Sequence, residues 1–216
     1  MRLQTAWPIP REEWKKSLHA EADEREQLEL LMSKAEKLLW EHANPRRIYR
    51  IVLREELPEG GISIARHLEG CEEAAVLAVT LGAGIDDLIR RTQITDMALA
   101  TVVDTGASLL AEHAADEAEE IIRQDLAISR PEMFVTPRFS PGYGDYALEH
   151  QRDILTLVDA PRKIGLALTA GGMMTPGKSV TAVMGIADHP VKGRLATCSE
   201  CVLRDKCPLW ARGEHC

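Results

Sequence analysis

Aromatic residues are scarce in this 216-residue chain, at 4% of the total, with two Phe and three Tyr. Basic excess is absent as well. The formal net charge of −8 carries no cationic footprint, which argues against a nucleic-acid partner. Long apolar runs are missing too. The strongest, AAVLAV at 74–79, falls far short of the roughly 20 residues that span a bilayer, so no membrane segment is expected. The opening MRLQTAWPIPREEWKK lacks the apolar stretch of a secretory signal, and the cytoplasm is the expected compartment. There the five Cys are expected as ligands or free thiols rather than as disulfides. No internal repeat is visible. Hydrophobic content of 45% and charged content of 28% are ordinary for a globular protein, and the length suffices to bury a core.

Several elements can be read from periodicity. Leu28, Leu31, Met32, Leu38 and Leu39 recur at helical spacing within the charge-rich stretch 11–43, and Asn44-Pro45 ends that helix. RIYRIVLREEL (47–57) reads as a strand, broken by Pro58-Glu59-Gly60-Gly61. Ser63 to Leu68 suggests a short helix stopped by Gly70, and EEAAVLAVTLG (72–82) a buried strand. GAGIDDLIRR turns into a helix with acidic residues in its first turn. A long helix over roughly 94–127 carries Met97, Val102, Val103, Leu109, Leu110, Ala114, Ala118 and Ile121 on its apolar side. ALEHQRDILTLVD (147–159) is an amphipathic helix for which Asp145 is the candidate cap. KIGLALTA (163–170) and SVTAVMGIA (179–187) read as strands joined by GGMMTPGK. Helices and strands mix without regular βα alternation. The expected fold is α+β, a twisted and mainly antiparallel sheet with packed helices, over residues 1–195, followed by a Cys-rich tail at 196–216.

Both Phe and two of the three Tyr lie between 134 and 146, around the run RFSPGYGDY (138–146). Pro and Gly force an irregular backbone there and let a ligand approach the main chain. An Arg can grip a carboxylate through two parallel hydrogen bonds, and an exposed Tyr ring can stack on a base or face a cation. The loop is thus either a small-ligand site or a surface turn whose rings plug the core.

Four stretches carry a resemblance to a known family: NPRRIYRIVL (44–53), LEGCEEAAVLAVTLGAGIDDLIRR (68–91), RFSPGYGDYALEHQRDILTLVD (138–159) and IGLALTAGGMMTPGKSVTAVMGI (164–186). Together and in this order they resemble the activation domain of cobalamin-dependent methionine synthase, and more closely the free-standing bacterial proteins related to it. The resemblance implies binding of S-adenosylmethionine in a shallow groove. It implies Arg138 on the methionyl carboxylate, backbone contacts from Ser140, Pro141 and Gly142, Tyr143 lining the groove, and Glu112 facing the ligand's amine. It implies no catalytic residue on this chain. The nucleophile it implies is cobalamin on a partner methionine synthase or related corrinoid methyltransferase, reduced by a flavodoxin- or ferredoxin-like donor, so that the chain is expected to be inert alone. Two features depart from the family pattern. His189-Pro190 is followed by Val-Lys-Gly-Arg with no aromatic, and no counterpart is found for the family's acidic, aromatic-rich contact segment near the N-terminus.

Cys198, Cys201, Cys207 and Cys216 follow C-x2-C-x5-C-x8-C. The first pair is a metal-binding knuckle, and Cys207-Pro208 resembles iron–sulfur usage, although the spacing fits no standard ferredoxin run. Zinc, an iron–sulfur cluster or free redox-active thiols are the three readings, and His215 is a possible substitute ligand for Cys216. Cys71 is expected buried and inert. The leading functional expectation is an accessory protein for reductive reactivation. The alternative is a metal- or cluster-bearing electron-transfer or regulatory protein that keeps the fold without binding S-adenosylmethionine.

Overall fold

The computed structural model describes residues 8–18, 25–194 and 204–213. Eight helices and six strands are assigned among them: α1 Arg11–Ser17, α2 Arg25–His42, β1 Arg46–Leu53, α3 Ile62–His67, β2 Glu73–Thr80, α4 Ala83–Thr95, α5 Met97–Ser129, β3 Phe134–Val135, α6 Gln151–Leu157, α7 Ala160–Ile164, β4 Ala167–Leu168, β5 Met174–Thr175, β6 Ser179–Ala187 and α8 Pro208–Ala211. Four strands form one sheet in the order β1-β2-β6-β3, and β4 and β5 form a separate antiparallel pair. This is the mixed architecture of antiparallel sheet and packed helices that the sequence predicts. No described helix is long and apolar enough to cross a membrane.

The chain divides into two compact units, Met1–Ile48 with Ala78–Ala118 and Asp159–Val180, and Tyr49–Leu77 with Glu119–Val158 and Thr181–Cys216. In the first, Met32, Ala35 and Leu39 of α2, Ile85 and Leu88 of α4 and the small-residue stripe Ala107, Ala111, Ala114 and Ala118 of α5 are buried. Trp14 is fully buried and donates its indole N–H to the Val102 carbonyl at 3.1 Å. Gly106 makes room for it, since a Cβ there would collide with the indole ring. Asp96 ends α4 and caps α5, accepting the Leu99 N–H at 3.0 Å on its side chain. Met97, counted with the core of this helix from its spacing, is instead 65% exposed, because the first turn buries its Leu99 and Ala100 face and Met97 lies off that face. The turn before β6 is held by Asp86, which accepts the Gly177 N–H at 2.9 Å, and by Lys178 on Asp104 at 3.0 Å.

Two expectations in this unit change. The stretch 11–43 contains two helices rather than one, with residues 19–24 outside the described residues. The segment expected as a strand over 163–170 begins as helix α7. Pro161 sits in its first turn, where a missing N–H does no harm, and Gly165 at φ 72° closes it, leaving only Ala167–Leu168 as strand.

In the second unit the core comprises Val76 and Leu77 of β2, Ile122 and Leu126 of α5, Ile154 and Leu155 of α6, and Ala182, Val183, Met184 and Ile186 of β6. Cys71 is buried as expected, and burial pushes its thiol above the usual range. Asp145 does not cap the helix that follows it. It reaches back across the chain to the start of α3, as described below.

Candidate functional site

The RFSPGYGDY loop grows out of the sheet. Phe134 pairs with Ala187 and Val135 with Ile186, and the Thr136 N–H donates to the Gly185 carbonyl at 2.9 Å. Pairing resumes at Phe139 and Val183, which exchange N–H to O bonds of 2.8 and 2.9 Å. Pro137 and Arg138 therefore stand opposite Met184 alone. This is a bulge, the device that re-aims a side chain at the edge of a sheet. Pro137 suits it because proline has no N–H to leave unpaired.

Beyond the bulge the chain folds on itself. The Gly142 N–H donates to the Tyr146 carbonyl at 2.6 Å and the Tyr146 N–H to the Tyr143 carbonyl at 3.0 Å. Gly142 at φ 100° adopts a conformation that residues with a Cβ rarely reach. Pro141 and Gly144 are buried, while Ser140 is half-buried. The four rings divide between the two readings of the loop. Phe139 and Tyr146 enter the core at 3% and 2% exposure, whereas Phe134 and Tyr143 face outward at 43% and 52%. Phe139 packs against His67 at 4.9 Å and edge-on to Tyr143 at 6.4 Å. Burial raises the Tyr146 hydroxyl to about 12, and its ring stacks on His150 at 5.1 Å.

Arg138 is half-buried, and its guanidinium meets Glu119 at 3.4 Å. Glu119 is also paired with Arg123, at 2.7 and 3.2 Å. Arg123 in turn donates to the Val135 and Thr136 carbonyls, each at 2.9 Å, and so straps α5 to the strand leading into the bulge. From the other side His67, 1% exposed, places Nε2 2.9 Å from the Pro137 carbonyl and 3.0 Å from Thr136 Oγ1, with Nδ1 3.1 Å from the Arg194 carbonyl. Burial holds its pKa below the ordinary histidine value, against the pull of those two carbonyls and the Glu119 charge. An open groove of about 460 Å³ runs beside it, lined by Arg66, Glu69, His189, Lys192 and Arg194 among others. The segment after His189-Pro190, where no aromatic stands, thus contributes basic side chains to this groove.

Of the residues marked from sequence, Arg138, Ser140, Pro141, Gly142 and Tyr143 are gathered on one loop of the second unit. Glu112 is exposed on α5 and falls in the first unit. Cys198, Cys201 and Cys216 lie outside the described residues. Cys207 is half-buried beside α8 and makes no disulfide. Sequence reading missed Glu119, Arg123 and His67. The i, i+4 spacing of Glu119 and Arg123 on a helix was the visible signal for the first two, and nothing local marked the histidine.

A family model described as vitamin B12 dependent methionine synthase, activation domain, matches residues 64–192, more than half of the chain. The chain belongs to this activation-domain family. The matched stretch includes most of α3, all of α5, the bulged loop and β6, and leaves out the N-terminal helices and the Cys tail. Among solved structures, the crystal structure of the MetH reactivation domain bound to AdoHcy is similar, with a TM-score of 0.60 and 19% identity over 97% of this chain and 78% of that one. At that identity the likeness establishes the activation-domain fold. No curated protein matches the chain by sequence.

Proposed function

We propose that this chain binds S-adenosylmethionine on the bulged loop and presents it to the cobalt of a partner corrinoid protein, a methionine synthase or a related methyltransferase, during reductive reactivation. The observation that carries the reading is Arg138 on its bulge, a half-buried guanidinium on the same loop as the exposed Tyr143 ring, in a chain of this family. The MetH reactivation domain similar to this chain was crystallised with AdoHcy, the demethylated product of the same compound.

The residues present suit that ligand. Arg138 offers a planar fork for the amino-acid carboxylate. Tyr143 offers a ring face for a purine, and Ser140 to Gly142 offer close main-chain approach. Glu112 remains the acidic candidate for the ligand's amine on the family resemblance alone. The partner's cobalamin, reduced by a flavodoxin- or ferredoxin-like donor, would supply the nucleophile for the sulfonium methyl group, and S-adenosylhomocysteine would be left on this chain. This chain contributes positioning and electrostatics, with no nucleophile or base of its own. The four thiols Cys198, Cys201, Cys207 and Cys216 belong to the same proposal, as the donor set for zinc or an iron–sulfur cluster.

Calorimetry with S-adenosylmethionine tests the binding. Reductive remethylation of a purified corrinoid partner, with and without this chain, tests the role. A folded protein that gives no binding heat overturns the reading. If it also shows a visible-absorbing cluster, it is an electron-transfer protein on the same fold.

A further inference from the structure

Three consecutive carbonyls on the way to Arg138 are held by side chains of the second unit. Arg123 donates to those of Val135 and Thr136, each at 2.9 Å. The third, that of Pro137, lies 2.9 Å from Nε2 of His67 and 3.0 Å from the Thr136 hydroxyl. This carbonyl belongs to the peptide group that joins Pro137 to Arg138. Peptide groups are planar, so a donor that fixes the Pro137 oxygen also fixes the direction in which the Arg138 Cα leaves the bulge. The His67 ring is itself held. Phe139 packs on it at 4.9 Å, and a Cβ on Gly193 would come within 2.7 Å of its Cε1.

Protons decide which carbonyl the ring serves. The Thr136 hydroxyl accepts the Gly185 N–H at 2.8 Å and has one proton to give. Burial keeps the imidazole neutral near neutral pH, so it too donates from one nitrogen only. A proton on Nδ1 would serve the Arg194 carbonyl at 3.1 Å and leave the Nε2 lone pair facing the Pro137 oxygen at 2.9 Å. A proton on Nε2 puts the donor at the closer contact and lets the Thr136 hydroxyl join it on the same oxygen. Arg194 is an exposed residue and Thr136 a fully buried one, so an unmade bond costs less at the Arg194 end. We propose that His67 is a positioning residue of the ligand site: as its Nε2–H tautomer it holds the Pro137 carbonyl and so aims Arg138 from the bulge at the ligand's carboxylate. The inference rests on the reading of Arg138 as the carboxylate grip. His67 touches no ligand in this arrangement and acts through the peptide group alone.

An amide side chain replaces one ring nitrogen at a time: Gln carries its amide nitrogen near the place of Nε2, Asn near that of Nδ1. Calorimetry with S-adenosylmethionine on the full chain therefore compares three variants. His67→Gln, which can still donate to Pro137, is expected to bind within about twofold of wild type. His67→Asn and His67→Leu are expected to bind about tenfold more weakly, the scale of one lost hydrogen bond. Nitrogen NMR of the isotope-labelled wild-type chain is expected to show a pyrrole-type Nε2 and a pyridine-type Nδ1 for His67. Equal affinity of the Gln, Asn and Leu variants overturns the proposal, since a residue that only fills the core would not separate Gln from Asn. A protonated Nδ1 with a bare Nε2 overturns it without any variant, so the test stands even where a substitution prevents folding. Wild-type affinity in Arg138→Ala overturns the site itself. A normal Arg138→Ala loss beside unseparated His67 variants overturns only the role of His67.

Discussion

The Asp145 carboxylate accepts the backbone N–H of Ile62 at 2.7 Å, across 83 residues of sequence. Its other oxygen takes the Ser63 N–H at 2.8 Å, so a loop residue caps a helix from outside. Gly61 permits this. It adopts φ 90°, and a Cβ there would come within 2.7 Å of the Asp145 carboxyl. Asp145→Ala should lower stability by about 1 kcal/mol in urea unfolding at neutral pH. The N–H and hydroxyl of Ser63, followed by the Ile62 N–H, hold the Asp145 pKa below the ordinary carboxylate value. The folded pKa is therefore depressed. The stabilisation is complete above the unfolded carboxylate pKa of about 4 and is lost as pH falls further, so wild type and variant should converge at low pH. A stability gap that does not narrow as pH falls below about 4 would contradict the capping role.

Arg138→Ala should weaken S-adenosylmethionine binding by about 2–4 kcal/mol, and Tyr143→Ala by about 1 kcal/mol, at unchanged melting temperature. Calorimetry paired with thermal melting reads both quantities. Wild-type affinity in both variants would remove the bulged loop from the binding site.

His67 predicts an acid-sensitive fold. Burial lowers its folded pKa beneath the unfolded value near 6.5, so the unfolded chain binds a proton first. Its contribution to stability is complete above about pH 6.5 and is lost as pH falls through the folded pKa. A His67→Gln variant should show a flatter stability profile between pH 7 and pH 5, measured by urea unfolding at each pH. An unchanged slope would assign the effect to other groups.

Gly185 on β6 lies against Cys71. A Cβ there would meet the Cys71 sulfur at 2.5 Å and Leu68 Cδ2 at 3.0 Å. Gly185→Ala should destabilise by about 1–3 kcal/mol through overpacking. Adding Cys71→Ala should restore part of that loss, because the two positions share one space. Strict additivity in the double variant would place the strain elsewhere.

The Cys tail predicts bound metal. Purified protein should carry about one zinc or one iron–sulfur cluster per chain, lost in Cys198→Ser. Elemental analysis with visible absorption distinguishes the two, and a metal-free protein with four titratable thiols would exclude both.

Much of the fold was legible in residue order. The long helix, the buried strand over 73–80, the strand at 179–187 and the short helix before Gly70 all declare themselves through period and stop residues, because those signals are local. Local rules misled at 163–170, where an apolar run suits helix or strand equally and Pro161 and Gly165 decide it. They misled again at Asp145, a good cap for either of two helices, where only the folded path selects the distant one.

By itself, the sequence determined the α+β class, the family, and the grouping of Arg138 with Ser140 to Tyr143, since these follow from neighbours along the chain. Only the tertiary structure decided how that loop is aimed and what surrounds it: the bulge opposite Met184, the division of four rings between core and surface, Glu119 and Arg123 against Arg138, and His67 beneath Pro137. Each of these is a contact between residues far apart in sequence or a shift in strand register. Such contacts depend on which surfaces meet when the chain is packed, and residue order does not state that.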